Sequence, residues 1–190
     1  MKRLVLFLLF VPAAMLTSGM FGALHDQISY SVSSEYFTKF KFLQFHLLNP
    51  DIPERARVFT VGFLASWWMG LPLGVLCGLA GMIHRRPALM WRSHMLSLCV
   101  AVVTTLVTVL VGLGYGWEQT RDINIAAYSG WFIPQNVTDL RRFLCAGYMH
   151  NAAYIGGVLS VASVWIFNIA FRVATKDQSE SSDSVRVLVD

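Results

Sequence analysis

Two histidines and several carboxylates lie near the ends of long apolar stretches, and their side chains are of the kinds that bind metal ions. His25 follows the first apolar stretch, and His150 lies inside the last one. Glu35 and Glu118 lie in the segments that connect apolar stretches. Imidazole nitrogens and carboxylate oxygens are ligands of zinc and of non-haem iron. The sequence therefore predicts a site for zinc, iron or a small polar ligand, formed by His25, Glu35, His150 and Glu118.

Three further polar residues adjoin the two histidines. Asp26 directly follows His25. Asn151 directly follows His150, and Tyr154 lies one helical turn beyond it on the same face. We interpret all three as residues that support the ligands, and Asp26 is in addition a candidate ligand.

A pair of arginines, Arg141 and Arg142, precedes the last apolar stretch. Guanidinium groups form paired hydrogen bonds with phosphate and carboxylate groups. The pair is therefore a candidate site for a lipid headgroup or an anionic ligand. The alternative is ion pairing with Asp139 or Asp122.

These side chains must be positioned by elements that cross a membrane. The chain of 190 residues is 55% hydrophobic and only 14% charged, whereas about 25% of the residues in soluble domains are charged. About 20 apolar residues span the hydrocarbon of a bilayer as a helix. Four stretches are long enough: residues 4–24, 58–83, 94–116 and 143–171. The predicted fold is an all-α transmembrane four-helix bundle.

The predicted transmembrane domain covers residues 1–172, and a disordered cytoplasmic tail, residues 173–190, follows it. Small residues recur at helical spacing in every span, and in lipid such residues face neighbouring helices. This pattern places His25 and His150 on packing faces rather than against lipid. Because the first span has a basic start, a cleaved signal peptide is an alternative for that span.

The loop 84–93 is short and basic, and it contains no acidic residue. Such loops stay on the cytoplasmic side of a bacterial inner membrane. Both termini are therefore predicted to be cytoplasmic. The two longer loops, residues 25–57 and 117–142, then face outward and carry the candidate site.

Within the first long loop, residues 35–48 form what we term the aromatic segment. It combines phenylalanines and tyrosine with lysines, a composition that predicts an interfacial piece lying on the outer leaflet. If it is helical, Glu35 and Lys39 form an ion pair one turn apart. Residues 28–34 alternate apolar residues with serines, which predicts a short extended piece.

Composition also bears on function. The net charge of +4 is explained by membrane orientation, and no nucleic-acid-binding module is present. The three cysteines lack Cys-x-x-Cys spacing, so neither a zinc knuckle nor a disulfide framework is predicted.

The expected partners are the lipid bilayer and either another membrane protein or a second copy of this chain. Three functions stay open: a ligand site with or without catalysis, an accessory subunit of a membrane complex, and conduction of ions or protons.

The combination of His25-Asp26-Gln27, Glu35-Tyr36-Phe37-Thr38 and His150-x-x-x-Tyr154 resembles a group of small bacterial four-span membrane proteins of unassigned function. The resemblance covers residues 20–160. It implies a bacterial inner membrane and the four-span layout, and it implies no activity, ligand or cofactor.

Overall fold

The computed structural model describes the backbone of residues 2–187 and the side chains of residues 2–175. In chain order the helices are α1 (Lys2–Val32), α2 (Ser34–Tyr36), α3 (Phe42–Gln44), α4 (Glu54–Ser66), α5 (Gly70–Gly81), α6 (Pro87–Gln119) and α7 (Leu140–Val187). Four helical stretches are long and apolar enough to cross a membrane: α1, α4 together with α5, α6, and α7 as far as Thr175. The predicted all-α, four-span architecture is confirmed.

The second span changes its helical geometry near its middle. α4 ends at Ser66, and a 3₁₀ turn, Trp67–Met69, joins it to α5. Pro72 accounts for this turn, because its ring would collide with the carbonyl of Trp68 in a regular α-helix and it has no N–H to donate. The tighter turn removes the collision and lets the span continue.

The first helix is longer than predicted. Residues 28–34 were expected to be extended, but α1 continues to Val32. The serines that suggested a strand donate instead to backbone carbonyls of their own helix: Ser29 to Asp26 and Ser31 to Gln27. Hydroxyl bonds of this kind keep a serine inside a helix when neighbouring helices pack against it.

The four spans form two antiparallel hairpins, in which α1 packs against α4 and α5, and α6 packs against α7. Glycines make the first contact close, because a Cβ atom added to Gly62 would overlap the carbonyl of Gly22. In the second hairpin, a Cβ atom on Gly112 would overlap the side chain of Ala152. Close backbone approach at small residues stabilises helix pairs in lipid.

The aromatic segment is helical and packs inward. It consists of α2, a π-helical turn (Phe37–Lys41) and α3. Tyr36, Phe37 and Phe42 are buried in a cluster with side chains of the second span and α7. The prediction that the aromatic residues lie on the outer leaflet is wrong for these three rings, since they lose more apolar surface by packing on the helices.

The last helix passes the predicted start of the tail at residue 173. Its backbone is helical as far as Val187, so residue 173 is not a helix end. Residues 188–190 and the side chains from 176 onward lie outside the described part of the chain. The disorder of the tail stays a prediction.

Candidate functional site

Three ligand-type side chains meet at one end of the bundle, which we term the site end. One potential ligand atom from each of His25, Asp26 and His150 lies within 4.8 Å of the others. The His25 Nδ1 atom is 3.0 Å from Asp26 Oδ1, and His150 Nε2 is 3.8 Å from the same oxygen. The two imidazole rings stand nearly perpendicular, with centroids 4.8 Å apart. We call these three residues the His-Asp-His cluster.

The His-Asp-His cluster contains polar atoms without protein partners. His25 and Asp26 are 5% and 3% exposed. Within the described side chains, His25 Nε2 and Asp26 Oδ2 accept or donate no hydrogen bond. Buried polar atoms are almost always paired, and a bound ion, water or ligand is one explanation for an unpaired one. Two such atoms on adjacent residues therefore favour a binding site here.

His150 is held by three different neighbours. Its Nε2 atom lies 3.3 Å from the Ser29 hydroxyl oxygen, and its ring stacks on the Tyr36 ring at a centroid distance of 4.8 Å. Phe37 covers another side at 6.0 Å. Burial raises the pKa of the Tyr36 phenol above its usual value, and the nearby Asp26 carboxylate adds to that rise. Tyr36 therefore stays neutral beside the imidazole.

A cavity of about 130 Å³ begins at the His-Asp-His cluster and extends between the two hairpins. One face of α1 lines it from the cluster to Phe10, and the second span, α6 and α7 form the other walls. Its polar end consists of the cluster and Lys41. Further along, the wall is built mostly from small and apolar residues, among them Ala14, Leu73 and Ala101.

Lys41 is the basic side chain of this cavity, and it is half-buried. Its ammonium group donates to the Gln44 side-chain oxygen at 3.0 Å and lies 4.8 Å from the centroid of Phe40. Burial lowers the pKa of Lys41, and the Asp26 carboxylate opposes that change. The π-helical turn puts this lysine near the cluster.

Glu35, a predicted ligand, does not join the cluster. Its carboxylate accepts hydrogen bonds from the backbone N–H groups of Thr138 and Asp139, at 3.0 and 2.8 Å, and from the Thr138 hydroxyl. Lys39 forms the predicted ion pair with it. These donors, the Asp139 N–H first, lower the pKa of Glu35 to about 2. Glu35 therefore links the aromatic segment to Thr138 and Asp139, the two residues directly before α7, where the N-terminal end of a helix favours negative charge.

The other predicted ligand, Glu118, is also elsewhere. It lies near the end of α6 and pairs with Arg121 at 3.0 Å, with both side chains mostly exposed. Water competes for such a pair, which contributes little to stability. Neither Glu35 nor Glu118 lies in the His-Asp-His cluster, and Asp26, predicted mainly as a supporting residue, is the carboxylate beside the two histidines.

The remaining predicted residues separate in space. Tyr154 lines the cavity, whereas Asn151 is exposed and lines a different hollow beside Tyr36 and Trp131. Asn151 therefore does not support His150.

The two arginines bind protein groups. Arg141 donates to the Trp117 carbonyl at 3.1 Å, and its guanidinium lies 4.4 Å above the Trp117 ring. Arg142 pairs with Asp139 at 3.4 Å. The Arg142–Asp139 pair matches the alternative of ion pairing given above. The binding of a lipid headgroup by the two arginines stays a prediction.

Sequence reasoning missed Ser29, Tyr36 and Lys41. Ser29 lies four residues after His25 in α1, so helical spacing could have placed it on the same face. Tyr36 and Lys41 belong to a segment that was predicted to lie on the membrane surface. No local signal indicates that a π-helical turn directs them to the bundle.

Compared with models of known protein families, with curated proteins and with solved structures, the chain matches none of them. The resemblance to small bacterial four-span proteins therefore stays a prediction, and any functional argument depends on the geometry of the site.

Proposed function

We propose that this four-span membrane protein binds a divalent transition metal ion, zinc or iron(II), through His25, Asp26 and His150. The observation that carries the proposal is the buried His-Asp-His cluster, with ligand-type atoms within 4.8 Å of one another. Two imidazoles and one carboxylate are a ligand set used for both metals.

The distances are close to those that a metal requires. Zinc lies about 2.0–2.2 Å from nitrogen and oxygen ligands, so tetrahedral ligand atoms are about 3.4 Å apart. The separations of 3.0 Å and 3.8 Å within the cluster bracket this value. Small side-chain rotations would bring the atoms to a common centre.

A bound metal would also account for the unpaired carboxylate oxygen. The metal would take the place of the hydrogen bond between His25 Nδ1 and Asp26 Oδ1, and the imidazole proton would then lie on Nε2. Asp26 Oδ2, which has no partner within the described residues, would lie beside the bound cation. Three protein ligands leave coordination positions for water or substrate, which is typical of catalytic rather than structural zinc sites.

The test is metal analysis of the full-length protein, extracted in mild detergent and purified without chelators, with an anaerobic arm that preserves iron(II). We expect stoichiometric zinc or iron in the wild type and less than a tenth of it in His25→Ala and His150→Ala. His46→Asn is the matched control, because His46 is exposed, outside the cluster and at a positive φ of 56° that asparagine tolerates. Background metal in the folded wild type, in both arms, would refute the proposal.

We also infer that the site end faces away from the cytoplasm of a bacterial inner membrane. The loop between α5 and α6, at the opposite end, contains Arg85 and Arg86, and basic loops stay cytoplasmic. Fusions of alkaline phosphatase after Asp51 and after Asp190 test this. Activity is expected for the first fusion alone, and the reverse pattern would overturn the orientation.

A further inference from the structure

We propose that the cavity binds an amphiphile that has one hydrocarbon chain and an anionic headgroup, with the chain along α1 and the headgroup at the His-Asp-His cluster. The inference rests on the proposed function, because the metal supplies the positive charge that selects the headgroup. An anionic, single-chain amphiphile is then the class of ligand that the metal site would hold or act on.

The shape of the cavity fits a chain rather than a compact molecule. Its wall follows α1 from His25 to Phe10, and these residues are about 22 Å apart at 1.5 Å per residue. That length resembles an extended fatty acyl chain. The enclosed volume of about 130 Å³ is close to the roughly 150 Å³ of an engineered apolar cavity that takes up benzene, so it holds only part of such a chain. Because the cavity is partly open, the rest of the chain would lie in its open part.

The hydroxyl groups along the wall do not make it hydrophilic. Thr17 and Thr105 donate to carbonyls one turn earlier in their own helices. Ser160 does the same to Gly157, and Ser18 donates to the carbonyl of Ser66. Because their hydrogens are already bonded, these four hydroxyls offer no free donor to water. Ser66 and Ser97 also line the wall, and Ser97 accepts from Asn168, so the wall is mostly but not wholly apolar.

The charges at the polar end select the headgroup. Asp26 and Lys41 both line the polar end of the cavity. When both are ionised, their opposite charges cancel. A divalent ion bound by neutral histidines then leaves an excess of two positive charges beside the chain-binding region. In surroundings of low dielectric, such an excess strongly favours a negative partner. An anionic headgroup would also occupy the open coordination positions of the metal.

The cavity has a route for such a ligand. Tyr154 belongs to its wall, and its side chain is 53% exposed on the flank of the bundle. Tyr154 lies within the fourth span, whose exposed side faces lipid, so this wall residue lies at the boundary between the cavity and the bilayer. A chain-bearing ligand can therefore enter sideways from the membrane.

The experiment measures binding of palmitate and of its neutral methyl ester to the metal-loaded, full-length protein by native mass spectrometry from detergent micelles. We expect retention of palmitate at least tenfold above the ester. In Lys41→Gln this preference should shrink. Equal retention of the two, or retention of neither, with metal still bound would overturn the inference.

Two matched variants test the location. Ala101→Trp fills the apolar part of the cavity, whereas Val103→Trp places the same ring on the 58% exposed, lipid-facing side of α6. We expect Ala101→Trp to reduce palmitate retention more than tenfold and to keep stoichiometric metal, and Val103→Trp to change neither. Normal palmitate binding in folded Ala101→Trp would refute the proposed location. If the wild type prefers palmitate over the ester without metal, the metal does not select the headgroup and this inference fails, whereas the metal proposal is decided by the metal analysis alone.

Discussion

The two ends of the bundle bury similar polar side chains and satisfy them differently. At the opposite end, His84 Nε2 donates to Asn168 Oδ1 at 3.2 Å, and Asn168 Nδ2 donates to Ser97 at 2.9 Å. At the site end, His25 Nε2 and Asp26 Oδ2 have no partner within the described residues. The first arrangement is a closed hydrogen-bond network, and the second is an open one.

His94 illustrates the contrast at the opposite end. Its Nε2 atom lies 3.2 Å from the Gly78 carbonyl oxygen, and its ring stacks on Phe10 at 4.3 Å. Its Nδ1 atom is unpaired, yet within the described residues the grouping of three metal-ligand side chains occurs at the site end. A buried imidazole alone is therefore compatible with helix packing, whereas a buried carboxylate oxygen without a partner, beside two imidazoles, favours the proposed metal site.

The two ends also differ in how their buried polar groups affect stability. A buried polar group that finds its partner contributes modestly to stability, and one that lacks a partner reduces it. The opposite end uses its polar residues to fix the packing of α6 and α7. The site end keeps a buried carboxylate at a cost in stability, which is common where a residue serves binding.

The largest effect is expected for Asp26→Asn, which keeps the shape of the side chain and removes its charge. Metal affinity should fall more than about 100-fold, since a lost ligand exceeds the 10–100-fold effect of a lost supporting residue. The metal-free variant should melt at or above the temperature of the metal-free wild type. Metal titration and thermal unfolding in detergent measure both, and a strongly destabilised apoprotein would assign Asp26 to the fold instead.

The corresponding change at the opposite end is Asn168→Ala. It leaves His84 and Ser97 without their buried partner, so the free energy of unfolding should drop by about 1–3 kcal/mol. Metal content should stay at the wild-type level. If Asn168→Ala depletes the metal while the protein remains folded, the two ends are coupled and the contrast between them fails.

A smaller effect is expected for Glu35→Gln, which weakens the link between the aromatic segment and the start of α7. The pKa of Glu35 is lowered in the folded protein from 4.5 to about 2, so its stabilising contribution is present above pH 4.5. Between there and about pH 2 it is lost, because the unfolded chain binds the proton more tightly. The difference in melting temperature between wild type and variant should therefore narrow as the pH falls through this window.

A metal assay on the same Glu35→Gln protein completes that prediction. Because Tyr36 and His150 stack next to this link, metal affinity should fall by at most about tenfold. Thr38→Ala, with its exposed side chain on the same segment, is the control. A melting difference that is constant from neutral to acidic pH would contradict the role of the Glu35 charge.

The smallest effect is expected for His84→Gln, which retains a donor for Asn168. Burial lowers the pKa of His84 below 6.5, and Arg172 adds to this change while the Asn168 bond opposes it. The neutral form is favoured by the fold, so its contribution is present above pH 6.5 and is lost as the pH falls below that value. The variant should show a flatter dependence of melting temperature on pH between about 7.5 and 5.5. If the dependence of melting temperature on pH is the same in the variant and the wild type, His84 does not contribute to it.

Several parts of this arrangement were predictable. Apolar length identified the four spans, and the small-residue pattern placed His25 and His150 on packing faces, where they meet. The adjacent Asp26 was a candidate from its position alone. The errors concerned Glu35, Glu118, Asn151, residues 28–34 and the aromatic segment. Glu35 and the aromatic segment depend on how a connection folds against the helices, whereas Asn151 lies within α7 on its exposed side.

The sequence by itself determined the class of the protein, the number of its spans and the inward direction of two histidines, because apolar length and helical periodicity act over a few turns of one helix. Only the tertiary structure decided which carboxylate joins them. Glu35 accepts from the N–H groups of Thr138 and Asp139, 103 and 104 residues away along the chain, just before α7. Asp26 lies beside His25 by sequence, but only the packing of α1 against α7 brings it next to His150, and no local pattern records that long-range contact.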